Sequence, residues 1–225
     1  MTPIVICSTS GRCLPVLAAS IKAYCANPVI WSGNNSPLAD FGREATLIPN
    51  KGRSFGESYN DAVDFAFAHG ADGVYISNDD VVLTPATMQA FEQDLESVRE
   101  IKVGALAARS DWVMWPQNIR SSVEGDVLEG VGWKSESFIR ETDVVAPIFC
   151  HVTREAWLAA KFPPINWYSD NIWCRDLKAQ GFRNFVSRAY VHHAGSQSIG
   201  RDYKRLHDEA LEWIVKNRPE LVNKV

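Results

Sequence analysis

The sequence predicts an α/β fold in which helices flank a mainly parallel central sheet. Three observations predict it. Short β-rich runs alternate with segments of helical period, the segments between strands are long enough to be crossover helices, and the composition is that of a packed protein. With 46% hydrophobic and 22% charged residues over 225 positions, the chain lacks the low hydrophobicity and high net charge of disorder. A chain of this length buries enough surface to fold without disulfide or metal staples.

Residues 4–7 (IVIC) read as a buried strand, and 14–26 (LPVLAASIKAYCA) place apolar side chains at helical spacing. PVIWS at 28–32 and ATLIP at 45–49 are the next strands. A helix then starts at Ser54, a good N-cap, and stops at Gly70, a good C-cap. GVYIS at 73–77 is a strand, followed by a helix over about 85–99 and a strand near 102–108. Residues 109–143, with Trp112, Trp115, Pro116, Gly125, Gly130, Gly132 and Trp133, lose periodicity over a length that suits a functional loop region. Regular structure resumes at 144–153 (VVAPIFCHVT). Helices at 154–160 and 170–180, a strand at 184–191 and a charged helix at 201–217 complete the chain. No repeat or linker interrupts it, so 1–225 reads as one domain with a first half 1–108, a second half 109–200 and a C-terminal helix 201–225.

Several function classes are disfavoured at this stage. The net charge is −4 and no Lys/Arg block occurs, which removes the footprint of a protein gripping nucleic acid mainly by phosphates. Five cysteines without a CxxC pair suggest reduced thiols, not a disulfide framework or zinc finger. No apolar run reaches the roughly 20 residues of a bilayer span, and the start MTPIVICSTSGR lacks a basic export region. The expectation is a soluble, cytoplasmic protein.

In open sheets of this class ligands bind at the carboxyl ends of strands, which directs attention to the residues after Cys7, Ser32, Pro49 and Ser77. Ser77-Asn78-Asp79-Asp80 is the sharpest feature. Adjacent carboxylates repel unless something positive compensates them, and a divalent cation carrying phosphate oxygens is one solution; a polar turn satisfying its own backbone is the other. His192-His193, followed by Gly195, Ser196 and Ser198, is either a ligand pair beside a close-approach loop or a surface pair. Asp170 opens a helix, so it is an N-cap or a cleft-facing carboxylate. Trp112, Trp115, Trp133 and Trp167 offer rings for stacking or for packing. Arg109, Arg120 and Arg140 flank the same region, as binding groups for a phosphorylated acceptor or as solvated surface.

The run Asn50, Gly52, Ser54, Phe55, Asn60, then GVYISNDDVVLTP, APIFCHVTREAW, YSDNIWCRDLKAQGF and AYVHHAGSQS resembles family 2-type glycosyltransferases with the GT-A fold, the rhamnosyltransferase-like members above all. The resemblance covers about residues 2–200. It implies a GT-A-like nucleotide-diphospho-sugar transferase fold and a metal-dependent transfer of a sugar from a nucleotide sugar to an acceptor hydroxyl, with inversion. It implies that Thr9, Ser10 and Arg12 hold the nucleotide, with Asn34, Asn50, Asn60, Asn78, Asp79 and Ser198 completing the donor site. Asp80 and His193, with His192 as substitute, would hold Mn²⁺ or Mg²⁺, and Asp170 would be the catalytic base. The chain departs from the family twice. WSGNNS at 31–36 lacks the usual base-gripping Asp, and Ser169-Asp170 stands where a Glu-Asp pair is usual. Two other readings stay open: a nucleotidyltransferase, and a non-catalytic carbohydrate- or nucleotide-binding module. The acceptor is a glycan, small molecule, protein or modified nucleic acid.

Overall fold

The computed structural model describes residues 1–33, 39–42, 44–51, 54–113, 117–119, 139–195, 202–222 and 224. Among them nine strands form one sheet: β1 (Ile4–Ser8), β2 (Val29–Gly33), β3 (Ala45–Ile48), β4 (Gly73–Asn78), β5 (Val81–Leu83), β6 (Val103–Ser110), β7 (Arg140–Thr142), β8 (Phe149–Thr153) and β9 (Arg183–His193). The helices are α1 (Leu14–Tyr24), α2 (Phe55–Ala68), α3 (Thr87–Ser97), α4 (Arg154–Ala159), α5 (Ser169–Ala179) and α6 (Tyr203–Asn217). In space the strands run β3-β2-β1-β4-β8-β6-β9-β5, with β7 also on β9.

The first half follows the expected parallel pattern: β2 pairs with β3, β1 with β2, and β1 with β4, all in parallel. After β4 the sheet becomes mixed. β8 is antiparallel to β4 and to β6, β9 is parallel to β6, and β5 and β7 are antiparallel to β9. A helical crossover returns the chain to the same end of the sheet and enforces parallel pairing. β8 follows β7 with no helix between them, and it runs opposite to β4 and β6. Because β8 reverses direction between β4 and β6, the strands β1, β4, β6 and β9 all point the same way. Their carboxyl ends, at Ser8, Asn78, Ser110 and His193, share one edge of the sheet.

Both faces of the sheet are covered, which is why β1 reads as an unbroken apolar run. Ile4 and Ile6 pack with Leu17 and Ile21 of α1 and Phe91 of α3 on one side. Val5 packs with Tyr59 and Val63 of α2 and with Trp157 and Trp173 of α4 and α5 on the other. The Ser54 cap is realised as a full capping box: its Oγ accepts the Glu57 N–H at 3.3 Å while Glu57 Oε2 accepts the Ser54 N–H at 3.3 Å. Replacing such a cap by Ala costs about 1 kcal/mol. The α6 helix is not wholly solvated, because Ala210 and Ile214 pack on Ile165, Ile172 and Leu221 in a separate cluster. No helix among the described residues is long and apolar enough to cross a membrane.

Candidate functional site

The shared carboxyl edge gathers side chains from four strands. At the end of β1, the Ser8 O–H donates to Asp79 Oδ2 at 2.5 Å, and the Gly11 N–H donates to Ser8 Oγ at 2.9 Å. Ser8 thereby fastens the 8–13 loop to the acidic turn after β4. Gly11 takes a left-handed backbone (φ 65°), leaving Thr9, Ser10 and Arg12 exposed at the surface of that loop. Cys13 lies within the field of both Asp79 and Asp80; burial raises its thiol pKa first and the two carboxylates raise it further. Asp79 is buried, and desolvation lifts its pKa above the ordinary carboxylate range. The Ser8 hydrogen bond opposes that shift and the Asp80 charge adds to it. Asp79 therefore organises the loop.

Asp80 is the neighbour that faces outward from this brace to β9. Its Oδ1 lies 3.1 Å from His193 Nε2, and both residues are buried. The short strand β5, which periodicity did not reveal, makes this possible: Val81 pairs with His193, and the Ala194 N–H donates to the Asp80 backbone carbonyl at 2.9 Å. The other ring nitrogen, Nδ1, is 2.5 Å from the Trp112 carbonyl. A carbonyl can only accept, so Nδ1 carries the proton. In the neutral ring, Nε2 then presents a lone pair to a carboxylate oxygen, an arrangement that needs a proton or a cation between the two atoms. Desolvation works against the charged imidazole, but the bond and charge of Asp80, the Trp112 carbonyl and Asp111 outweigh it and hold the His193 pKa above its ordinary value.

His192 is set apart from His193. Successive strand side chains point to opposite faces, and His192 is exposed, its Nδ1 2.6 Å from Asp111 Oδ2. Asp111 also accepts the His193 backbone N–H at 3.2 Å through Oδ1. Burial of Asp111 works to raise its pKa, but the bonds from His193 and His192 prevail and leave it below the ordinary range. Asp111 was missed by the sequence reading. It directly follows β6, at a strand's carboxyl end, and that position is the signal that points to it.

Asp170 approaches the same edge from another direction. The start of α2 follows β3 there, and it holds the 163–169 segment: the Gly56 N–H donates to the Ile165 carbonyl at 3.2 Å and the Phe55 N–H to Asn166 Oδ1 at 2.8 Å. Asp170 does not cap α5. Tyr168 occupies the N-cap position in left-handed backbone (φ 62°), a strained conformation for a ring-bearing residue, and Asp170 lies in the first turn. The Asp170 Oδ1 accepts the Asn171 N–H at 3.0 Å. Burial pushes its pKa up to about 6 in spite of backbone hydrogen bonds that lower it. Among the described residues, no ion pair involves Asp170 and no direct contact links it to Asp80.

The remaining expected donor contacts divide. Asn78 is half-buried beside the acidic turn, its N–H donating to the Ile148 carbonyl at 2.9 Å. Asn50 is buried and accepts from the Ser58 hydroxyl at 3.4 Å. Asn60 is occupied as a brace: its Nδ2 donates to the Phe162 carbonyl at 2.8 Å and its Oδ1 accepts the Phe162 N–H at 3.2 Å. Asn34 and Ser198 lie outside the described residues, as do Arg120, Trp115 and Trp133. Among the described residues, no group of three or more His, Cys, Asp or Glu side chains converges as a ready metal site. Asp80 and His193 are a pair.

No protein-family model matches the chain, and no curated protein matches it. Solved structures do. A crystal structure of S. aureus TarS 1–349 superposes with a TM-score of 0.56 at 12% identity over 96% of this chain and 66% of that one. A structure of S. aureus TarS gives 0.54 at 11% identity over 96% and 40%. A protein from STIV reaches a TM-score of 0.48 at 15% identity, covering 82% of this chain and 80% of its own. The chain thus spans less than two thirds of either TarS structure. At these identities the likeness is one of fold: a mixed α/β architecture with a large central sheet flanked by helices, as in GT-A-like glycosyltransferases.

Proposed function

We propose that the chain is a metal-assisted glycosyltransferase that moves a sugar from a nucleoside diphosphate sugar to an acceptor hydroxyl. The observation that carries this reading is the buried Asp80–His193 pair, with His193 Nδ1 committed to a backbone carbonyl and Nε2 turned to the carboxylate at 3.1 Å. Metal-binding histidines have this outer bond as a rule. A divalent ion held by one or two protein ligands completes its shell with water and substrate phosphates, so a pair suffices. Such an ion, when bound, supplies positive charge against the diphosphate as it leaves.

The chain's own groups do the rest. The Ser8–Asp79 bond keeps the 8–13 loop in place beside the acidic turn, where Thr9, Ser10 and Arg12 meet the nucleotide. Asp170 accepts the acceptor's proton as its oxygen bonds to the anomeric carbon. The carbon–oxygen bond to the diphosphate breaks, and its electron pair leaves with the diphosphate. A group whose pKa is about 6 is ionised at neutral pH and still basic enough to take a proton, a combination typical of general bases. Attack from the side opposite the diphosphate inverts the anomeric centre. The test is release of nucleoside diphosphate from UDP, GDP and dTDP sugars with Mn²⁺. Release that disappears with chelator is expected, and absence of release from every donor would replace this reading with that of a binding module.

A further inference from the structure

We infer that Gly56 is a positioning residue: by letting α2 touch the 162–169 segment with no side chain between them, it sets Asp170 relative to the acidic turn after β4. The inference rests on the transferase reading for the task of Asp170. α2 holds both parts of the site. Toward the sheet, the Tyr59 O–H donates to the Ser77 carbonyl at 2.7 Å, in the strand that ends at the acidic turn. Toward the chain that leads to Asp170, the Phe55 N–H donates to Asn166 Oδ1 at 2.8 Å and the Gly56 N–H to the Ile165 carbonyl at 3.2 Å. Asn60 exchanges two bonds with the Phe162 backbone, at 2.8 and 3.2 Å. The Phe162 ring stands edge-on to Phe55 and Tyr59, with centroids 5.5 and 6.2 Å apart. One helix thus fixes the end of β4 and the approach to Asp170 against each other.

Gly56 is the point of closest approach. A Cβ there would stand 1.9 Å from the Pro163 carbonyl oxygen and 2.9 Å from Ser169 Oγ. That carbonyl oxygen is itself pinned, because it accepts the Ile165 N–H at 2.8 Å and the Ser169 O–H at 3.1 Å. Ser169 is buried and directly precedes Asp170. Glycine weakens a helix relative to alanine, and Gly56 is not in left-handed backbone, so its conformation does not demand glycine. The space does. A methyl group at 56 has to push the Pro163 carbonyl away to reach an ordinary contact distance, and Ser169 passes that shift to the neighbouring carboxylate.

The test is Gly56→Ala, followed by diphosphate release for turnover, calorimetry for nucleotide affinity, and ¹³C NMR for the titration of Asp170, its carboxyl signal assigned with Asp170→Asn. Turnover is expected to fall roughly 10²-fold while nucleotide affinity stays within about twofold of the parent's, the pattern of a misplaced reacting group. The Asp170 midpoint is expected to move from about 6 toward the ordinary carboxylate range as the displaced carboxyl meets water. Asn166 is exposed, so a milder pair of variants serves if Gly56→Ala does not fold. Asn166→Ala should give the same changes on a smaller scale, about threefold in turnover, and Asn166→Asp, which keeps the acceptor, should restore the parent's values. Unchanged turnover with an unmoved Asp170 midpoint in folded Gly56→Ala, equal losses of turnover and nucleotide affinity, or no difference between the two Asn166 variants overturns the inference. A parent protein that releases no diphosphate from any sugar nucleotide ends the transferase reading instead, and the Asp170 midpoint in the same variants still decides whether Gly56 places that carboxyl.

Discussion

Asp80 and Asp170 lie at one edge of the same sheet and are held in opposite ways. Asp80 is pressed against an imidazole 3.1 Å away, on a turn braced from below by the Ser8–Asp79 bond. Asp170 has backbone donors only and is carried by a helix start behind a strained Tyr168, and burial moves its pKa to about 6. The difference teaches that carboxylates at one edge of a sheet can be set in unlike environments, to which the proposed function assigns separate tasks. A carboxylate facing a cationic partner suits charge binding, and one left without such a partner suits proton transfer.

The largest effect that would break this division is on turnover. Asp170→Asn is expected to lower it by about 10² to 10⁴-fold with nucleotide affinity retained, as measured by steady-state diphosphate release and by calorimetry; equal loss of both would place Asp170 on the binding side. Asp80→Ala acts in the converse sense and should reduce Mn²⁺-dependent nucleotide affinity by roughly 10²-fold, a loss of about 2.7 kcal/mol. Affinity indifferent to chelator in the parent protein would dissolve the distinction. Next comes pH. Because the base works ionised, turnover should fall about tenfold per unit below a pH of about 6 and level off above it; a profile flat through that range would detach Asp170 from the reaction.

Smaller effects sharpen the comparison. His192→Ala, which removes one of the bonds that orient Asp111, is expected to weaken metal-dependent nucleotide binding by only about threefold, whereas His193→Ala should approach the loss expected for Asp80→Ala. Equal effects of the two histidines would contradict the alternation of β9. Ser54→Ala should cost about 1 kcal/mol in denaturant unfolding, because the box it breaks also anchors the α2 start that holds the 163–169 segment. A drop in turnover beyond that loss of stability would show that the cap contributes to the setting of Asp170.

Much of this was legible in the chain. IVIC and GVYIS are strands because nearly every side chain in them is apolar, and Ser54 and Glu57 meet as their spacing requires. Asp80, His193 and Asp170 stand out by residue type at element ends. The short strands VVL and RET carry too few residues to show a period, so β5 and β7 were invisible, and with them the register that sets His193 against Val81. The direction of β8 was hidden for a related reason: the sequence before it carries no helical period, and without a crossover helix nothing local dictates which way a strand runs.

Taken alone, the sequence determined the alternating α/β architecture, the buried strands and the ends at which acidic and imidazole groups occur, because period and capping are local properties. Only the tertiary structure decided where each of two adjacent groups turns: Asp79 toward Ser8 and Asp80 toward His193, His193 inward and His192 outward, Tyr168 as the cap in place of Asp170. These choices depend on strand register and on contacts between residues far apart in the chain, and neighbouring positions of similar chemistry carry no local signal that separates them.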